Sequence, residues 1–234
     1  MLKRLRRSLP ILAALEDETR RDLYLYVRVS DHPVTREEAA AHAGVSARLA
    51  AFHLDKLVKV GLLNAHYARK PGRSGPGAGR SSKYYRPSEL ELDVSLPERR
   101  YEFLGEVLVA AIAAEAHDES ARSAAIRIAG EQGRSVGSAA RRGSAQGRPG
   151  RRRSLEMAKE VLARFGFEPL ERVEGAISLR SCPYQRLARQ APDVVCGINH
   201  AFVDGVLQGL GTRSIEASLE PSESECCVRV HARG

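Results

Sequence analysis

Apolar residues recur at helical spacing through the first third of the chain, broken at identifiable places. Ile11, Leu12 and Leu15, then Leu23, Leu25, Tyr26 and Val29, predict an opening helix, or two broken near Asp17–Thr19. Asp31-His32-Pro33 ends this stretch. Thr35 is a suitable N-cap for REEAAAHA, with Glu38 at the capping-box position, and Gly44 follows where a left-handed turn residue is expected. Ser46 then caps a third helix running to about Val60 and closed by Gly61. Within it Ala50, Leu54 and Leu57 form the inward stripe, and His53 adjoins it as a packed histidine. Ala47, Arg48, Ala51, Phe52 and Asp55 are left on the open side. Leu62 to Arg69 and Lys83 to Pro87 read as two strands, with residues 70–82 as the tip between them.

Beyond residue 90 the pattern changes twice. Residues 95–116 are helical with a broad apolar surface. This is expected to be a connector and dimerisation helix, its surface formed by Tyr101, Leu104, Leu108 and Ile112. Helices are also expected at 119–131 and 154–165. Between them, residues 132–155 carry Arg134, Arg141, Arg142, Arg148, Arg151, Arg152 and Arg153 with no acid, among many Gly and Ser, and read as a mobile linker. After Gly166 the pattern gives a hairpin turning at Glu174-Gly175, a helix over 193–210 and two final strands, IEASLEP and CCVRVHA. The whole is predicted to be α+β. Its parts are a domain of short helices closed by a strand hairpin (1–90), a dimerisation helix (91–118), a helix with basic linker (119–153) and a small α+β sensor-like domain (154–234).

Composition sharpens this division. Residues 1–88 hold 17 Lys+Arg against 8 Asp+Glu, whereas 89–234 hold 20 against 21. A basic module joined to a near-neutral one suggests a nucleic-acid reader coupled to something else. Tryptophan is absent and aromatics make up 5% of residues, which argues against a single-strand binder built on base stacking. No run approaches the about 18 apolar residues of a membrane span. The start of the chain lacks a convincing cleavage site, so a cytoplasmic protein is expected.

The tip sequence GRSGPGAGR (72–80) cannot build a core and projects cations instead. Behind it lies the helix pattern GVSARLAAFHLDKLVKVGLL (44–63). The expected double-stranded DNA contacts are Ser46, Ala47, Arg48, Ala51, Phe52 and Lys56 on the helix, and Arg69, Arg73, Arg80 and Lys83 on the hairpin. Arg48 suits guanine O6 and N7, Phe52 suits thymine methyl groups, and the hairpin cations suit phosphates or a minor groove.

With EDETRRDLYLYV, GVSARLAAFHLDKLVKVGLL and GRSGPGAGRSSKYYR, residues 11–88 resemble the winged helix-turn-helix regulators related to the arsenical-resistance repressors. The segment RSCPYQRLARQAPDVVCGINHAFVDGVLQGLG and the later ECCVRV resemble the C-terminal domain of the branch that includes the repressor of iron–sulfur cluster assembly operons. The resemblance implies a homodimeric, DNA-binding transcription regulator, in the main a repressor, and not an enzyme. It also implies an iron–sulfur cluster, for which Cys182, Cys196 and Cys226 could bind three irons of four. Related repressors carry a further cysteine between the last two; this chain does not.

The residues themselves leave the cysteine chemistry open. All four cysteines fall in the last quarter, which in a cytoplasmic chain favours metal or redox chemistry over structural disulfides. Strand alternation predicts Cys226 facing the site and Cys227 facing away. Cys196 and His200, four apart on a helix, could instead join Cys182 and Cys226 around zinc. Direct thiol oxidation and plain core packing, with no cofactor, are the other readings. A cysteine nucleophile with His200 as base is disfavoured, because mid-helix amides are already used and offer no oxyanion hole.

Overall fold

The computed structural model describes residues 2–68, 81–114, 119–143, 150–173, 175–222 and 225–233. The chain is mixed α+β with two small antiparallel sheets, and divides into two compact units, residues 2–94 and 95–234.

The first unit contains α1 (Leu2–Ala14), α2 (Glu18–Val29), β1 (Val34–Thr35), α3 (Arg36–Ala43), α4 (Ala47–Lys59), β2 (Leu63–Ala68) and β3 (Ser82–Pro87). The opening helix does break near Asp17, whose carboxylate accepts from the Arg20 amide at 2.8 Å and starts α2. Thr35 and Glu38 form the expected capping box. Gly44, at φ 64°, turns α3 into α4, and Ser46 caps α4 on the Leu49 amide. These caps satisfy amide groups that helix ends otherwise leave bare. The three strands run in the order β1-β3-β2. Leu23, Val27, Leu54, Leu57, Leu63 and Tyr85 are buried together as this unit's core.

The second unit contains α5 (Tyr101–Ala113), α6 (Ala121–Arg142), α7 (Arg151–Arg164), β4 (Pro169–Val173), β5 (Ala176–Leu179), α8 (Gln185–Gln190), α9 (Pro192–Gly209), β6 (Ile215–Leu219) and β7 (Val228–Ala232). Its sheet order is β4-β5-β7-β6, all antiparallel. The expected hairpin is present, with Gly175 at φ 85°. Ile177, Leu179, Val228 and Val230 point from the sheet into a core completed by Phe202, Val203 and Val206 of α9 and Leu104, Val107 and Ala111 of α5.

Two expectations are corrected here. The start of the supposed linker is helix: α6 continues to Arg142, and residues 144–149 lie outside the described region. Its glycines are packing residues. A Cβ at Gly133 would lie 2.2 Å from the Phe202 carbonyl oxygen, and one at Gly137 2.2 Å from that of Val206. From the other side, a Cβ at Gly205 would lie 2.3 Å from the Gly130 oxygen, and one at Gly209 2.2 Å from that of Arg134. The backbones of α6 and α9 therefore touch, which only glycine permits. The second correction concerns α5. It begins at Tyr101, and Leu104 is buried in the core rather than on the open face; Tyr101, Leu108, Val109 and Ile112 are the exposed apolar residues.

Candidate nucleic-acid interface and cysteine cleft

Because α4 buries Ala50, His53, Leu54 and Leu57, its opposite side must face outward. Ser46, Arg48, Phe52 and Lys56 are exposed, and Ala47 and Ala51 are half-buried between them. Phe52 is 53% exposed, a large apolar ring in water. The Lys56 ammonium sits 4.4 Å from the centre of that ring. Phe52, the least comfortable side chain on this surface, is thus held in place rather than buried, as expected. His53 is buried as expected, its Nδ1 3.7 Å from Asp17, and burial lowers its pKa.

Asp55, exposed on the open side of α4 as expected, pairs with Lys83 of β3. Lys83 Nζ lies 2.7 Å from Asp55 Oδ1, and the Tyr85 hydroxyl donates to the same oxygen at 2.8 Å. Burial and the Asp55 carboxylate push the Tyr85 phenol above its usual range. Lys83 is therefore a partnered cation tying β3 to α4. Spacing along the chain could not show this, since the two residues are 28 apart. Arg69, Arg73 and Arg80 lie outside the described residues.

In the second unit three separate segments bring the cysteines to one cleft of about 420 Å³. Cys182 follows β5 in a loop held by Arg99, whose guanidinium donates to the Cys182 carbonyl at 2.7 Å. Cys196 faces the cleft from the second turn of α9. Cys226 and Cys227 occupy the bend ahead of β7, pinned by the Cys226 amide on the Leu179 carbonyl and the Glu220 amide on the Cys227 carbonyl. All four cysteines line the cleft, so the expectation that Cys227 points away is wrong. Alternation governs side chains only within a strand, and β7 starts at Val228.

The thiols perturb one another. The neighbouring Cys226 thiol, followed by burial, pushes Cys182 far above the ordinary thiol range. Contact with Cys182 lowers Cys226, but Cys227 and burial outweigh it and leave Cys226 at about 12. Burial raises Cys196, partly opposed by Cys227. Asn199, missed in the sequence, is 1% exposed and donates from Nδ2 to Cys226 Sγ at 3.2 Å, while its Oδ1 has no hydrogen-bond partner. Its place three residues after Cys196 on a helix was the available signal. His200 is instead 3.2 Å from the Ala217 carbonyl and does not line the cleft.

No family model, curated protein or solved structure matches this chain.

The donor set suits a thiophilic metal ion or an iron–sulfur cluster, both of which take cysteine sulfur. Among the described residues no three His, Cys, Asp or Glu side chains converge at ion-coordinating spacing. Coordination therefore requires the thiols to turn toward a common point and to lose their protons. His200, bonded elsewhere, does not belong to that set. No described helix is long and apolar enough to cross a membrane.

Proposed function

We propose that the chain is a dimeric DNA-binding transcription regulator, a repressor, whose cysteine-bearing second unit adjusts operator affinity. Residues 2–94 act as a winged helix-turn-helix: α4 enters the major groove and the β2–β3 hairpin reaches the flanking backbone. The observation that carries this reading is the outward face of α4. Arg48, Phe52 and Lys56 are presented there beside small Ala47 and Ala51, which let the helix approach a groove closely. The basic excess of residues 1–88 supports it, since phosphate neutralisation supplies most of the affinity for DNA.

Two modules related by a dyad would read a palindromic site, and the exposed α5 residues offer the surface that pairs them. Cys182, Cys196 and Cys226 hold the effector centre, a cluster or a thiophilic ion, and its loading shifts the DNA-binding equilibrium by about 1–3 kcal/mol. A cysteine-dependent enzyme is a poorer reading, because His200 is hydrogen-bonded away from every thiol.

Selection of bound fragments from random duplex DNA, followed by fluorescence anisotropy, tests the reading. Wild type should enrich a palindrome, and Arg48→Ala should lose about 1–3 kcal/mol and relax preference at one base pair. Enrichment of no sequence, with affinity governed by salt alone, would reject a sequence-specific regulator in favour of an architectural binder.

A further inference from the structure

Cys227 is the one thiol for which the chain pattern offers no role, yet it lines the same cleft as Cys182, Cys196 and Cys226. It is half-exposed where Cys226 is buried, so the tandem pair presents one sulfur from the cleft wall and one from its mouth. The bend holding the pair is fixed at both residues: the Cys226 amide donates to the Leu179 carbonyl at 2.8 Å, and the Cys227 carbonyl accepts from Glu220 at 2.7 Å. Both backbones are thereby anchored beside the cleft. Behind the cleft lining, Asn199 of α9 is buried and donates its amide to Cys226 Sγ. Ligating atoms are commonly held by hydrogen bonds from a neighbouring side chain in this way.

We infer that Cys227 supplies the fourth sulfur of this cleft, which then binds a thiophilic metal centre through four protein thiolates without a ligand from outside the chain, and that Asn199 is a positioning residue for Cys226. This rests on the reading of the cysteine cleft as an effector site. Four sulfurs from three segments line the cleft, the number that a tetrahedral zinc-like ion or a cubane cluster takes. The set departs from a three-cysteine site in one consequence. A site closed by four thiolates has no position left for water or an external donor, which is the mark of a structural or sensing centre rather than a catalytic one.

The test is an anaerobic titration of the reduced full-length chain with cadmium ion alone, followed by sulfur-to-metal charge-transfer absorbance, beside Cys227→Ser, Cys182→Ser and Asn199→Leu. Far-UV circular dichroism checks the fold of each. Wild type should bind one ion with an intensity matching four thiolates. Cys227→Ser should keep one ion but show about three quarters of that intensity and at least a tenfold weaker affinity. Cys182→Ser should fall by a similar amount. Asn199→Leu should retain four-thiolate intensity and bind about tenfold more weakly, as expected for a residue that orients a ligand. A folded Cys227→Ser that matches wild type in both intensity and affinity would overturn the assignment of Cys227 while leaving a three-cysteine site standing. A wild-type chain that binds no cadmium would remove the effector site itself. Parallel reconstitution with ferrous iron and sulfide distinguishes cluster from single ion: a visible absorption band with four irons per chain indicates the cluster.

Discussion

The contact between α6 and α9 makes a sharp demand on two of the three buried glycines of α6. Gly130, Gly133 and Gly137 are all buried on the face of α6 that meets α9. Alanine has the better helix propensity by about 1 kcal/mol, so each substitution starts with a gain. At Gly130 the added Cβ would find its nearest neighbours, Ala201 O and an Arg134 side-chain nitrogen, at 3.6 Å, an ordinary contact. At Gly133 it would meet the Phe202 carbonyl at 2.2 Å, with the Val206 amide at 3.0 Å. Backbone atoms of a packed helix cannot swing aside as a side chain can. The helices must part by roughly 1 Å, and a gap of that size forfeits a quarter to a half of each dispersion contact along the seam. Overpacking of this kind costs about 1–3 kcal/mol and occasionally more. Movement of two whole helices puts it at the upper end, so after the propensity gain Gly133→Ala should lose about 2 kcal/mol. Gly130→Ala should gain up to about 1 kcal/mol. Thermal unfolding followed by circular dichroism reads both, at about 3–6 °C per kcal/mol for a unit of this size. Equal melting temperatures for the two variants, or a stabilised Gly133→Ala, would refute the backbone-contact seam.

Three further outcomes follow from the structure. Asp55→Ala deprives the buried Tyr85 hydroxyl of its acceptor and should destabilise residues 2–94 by about 1–3 kcal/mol, whereas Lys83→Ala removes only the more exposed partner and should cost under about 1 kcal/mol; equal losses in thermal melts would argue against the shared acceptor. Burial, opposed by Asp17 and helped by Arg20 and Lys56, holds the folded pKa of His53 below the unfolded value of 6.5, so the unfolded chain binds the extra proton and stability falls as pH drops through and below 6.5. Urea titrations between pH 7.5 and 5.5 should therefore slope less for His53→Gln than for wild type, and parallel slopes would remove His53 as the cause. Val109→Glu with Ile112→Glu on α5 should turn a dimer into a monomer by light scattering, and a wild-type monomer at micromolar concentration, free and on DNA, would reject the α5 pairing surface.

What could be read in advance was what depends on neighbours close in the chain. The helix break at Asp17, the caps at Thr35 and Ser46, the turn at Gly44 and the inward stripe of α4 all obey local rules, and each stands where its residues predict. The Gly-rich stretch after 132 misleads because composition reports glycine's freedom and not its smallness; only the approach of α9, some seventy positions later, makes Gly133 and Gly137 helix residues. The ion pair of Lys83 with Asp55 joins residues 28 apart, which local spacing cannot show. Cys227 fails for a different reason. Alternation is sound within a strand, but Cys227 lies one residue ahead of β7, in a bend where the rule has no force.

These features meet on α9. Its first half presents Cys196 to the cleft and Asn199 to Cys226, and its second half carries Gly205 and Gly209 against the backbone of α6. A helix moves nearly as a rigid rod, so thiols turning toward a common centre would pull on one end of a rod whose other end is locked in a seam without spare volume. Close-packed interiors transmit such strain instead of absorbing it. α6 in turn packs on α5 through the shared core of Val107, Ala111, Ala125 and Ala129. The chain of rigid contacts therefore runs from the cysteine cleft through α9 and α6 to the helix whose opposite face exposes Leu108, Val109 and Ile112. Under the proposed function, that is the face that sets the spacing between two DNA-reading modules. Loosening the seam at Gly133 would then weaken the dependence of DNA affinity on cadmium loading even where both sites remain folded, an outcome that a purely local role for the cysteines would not produce.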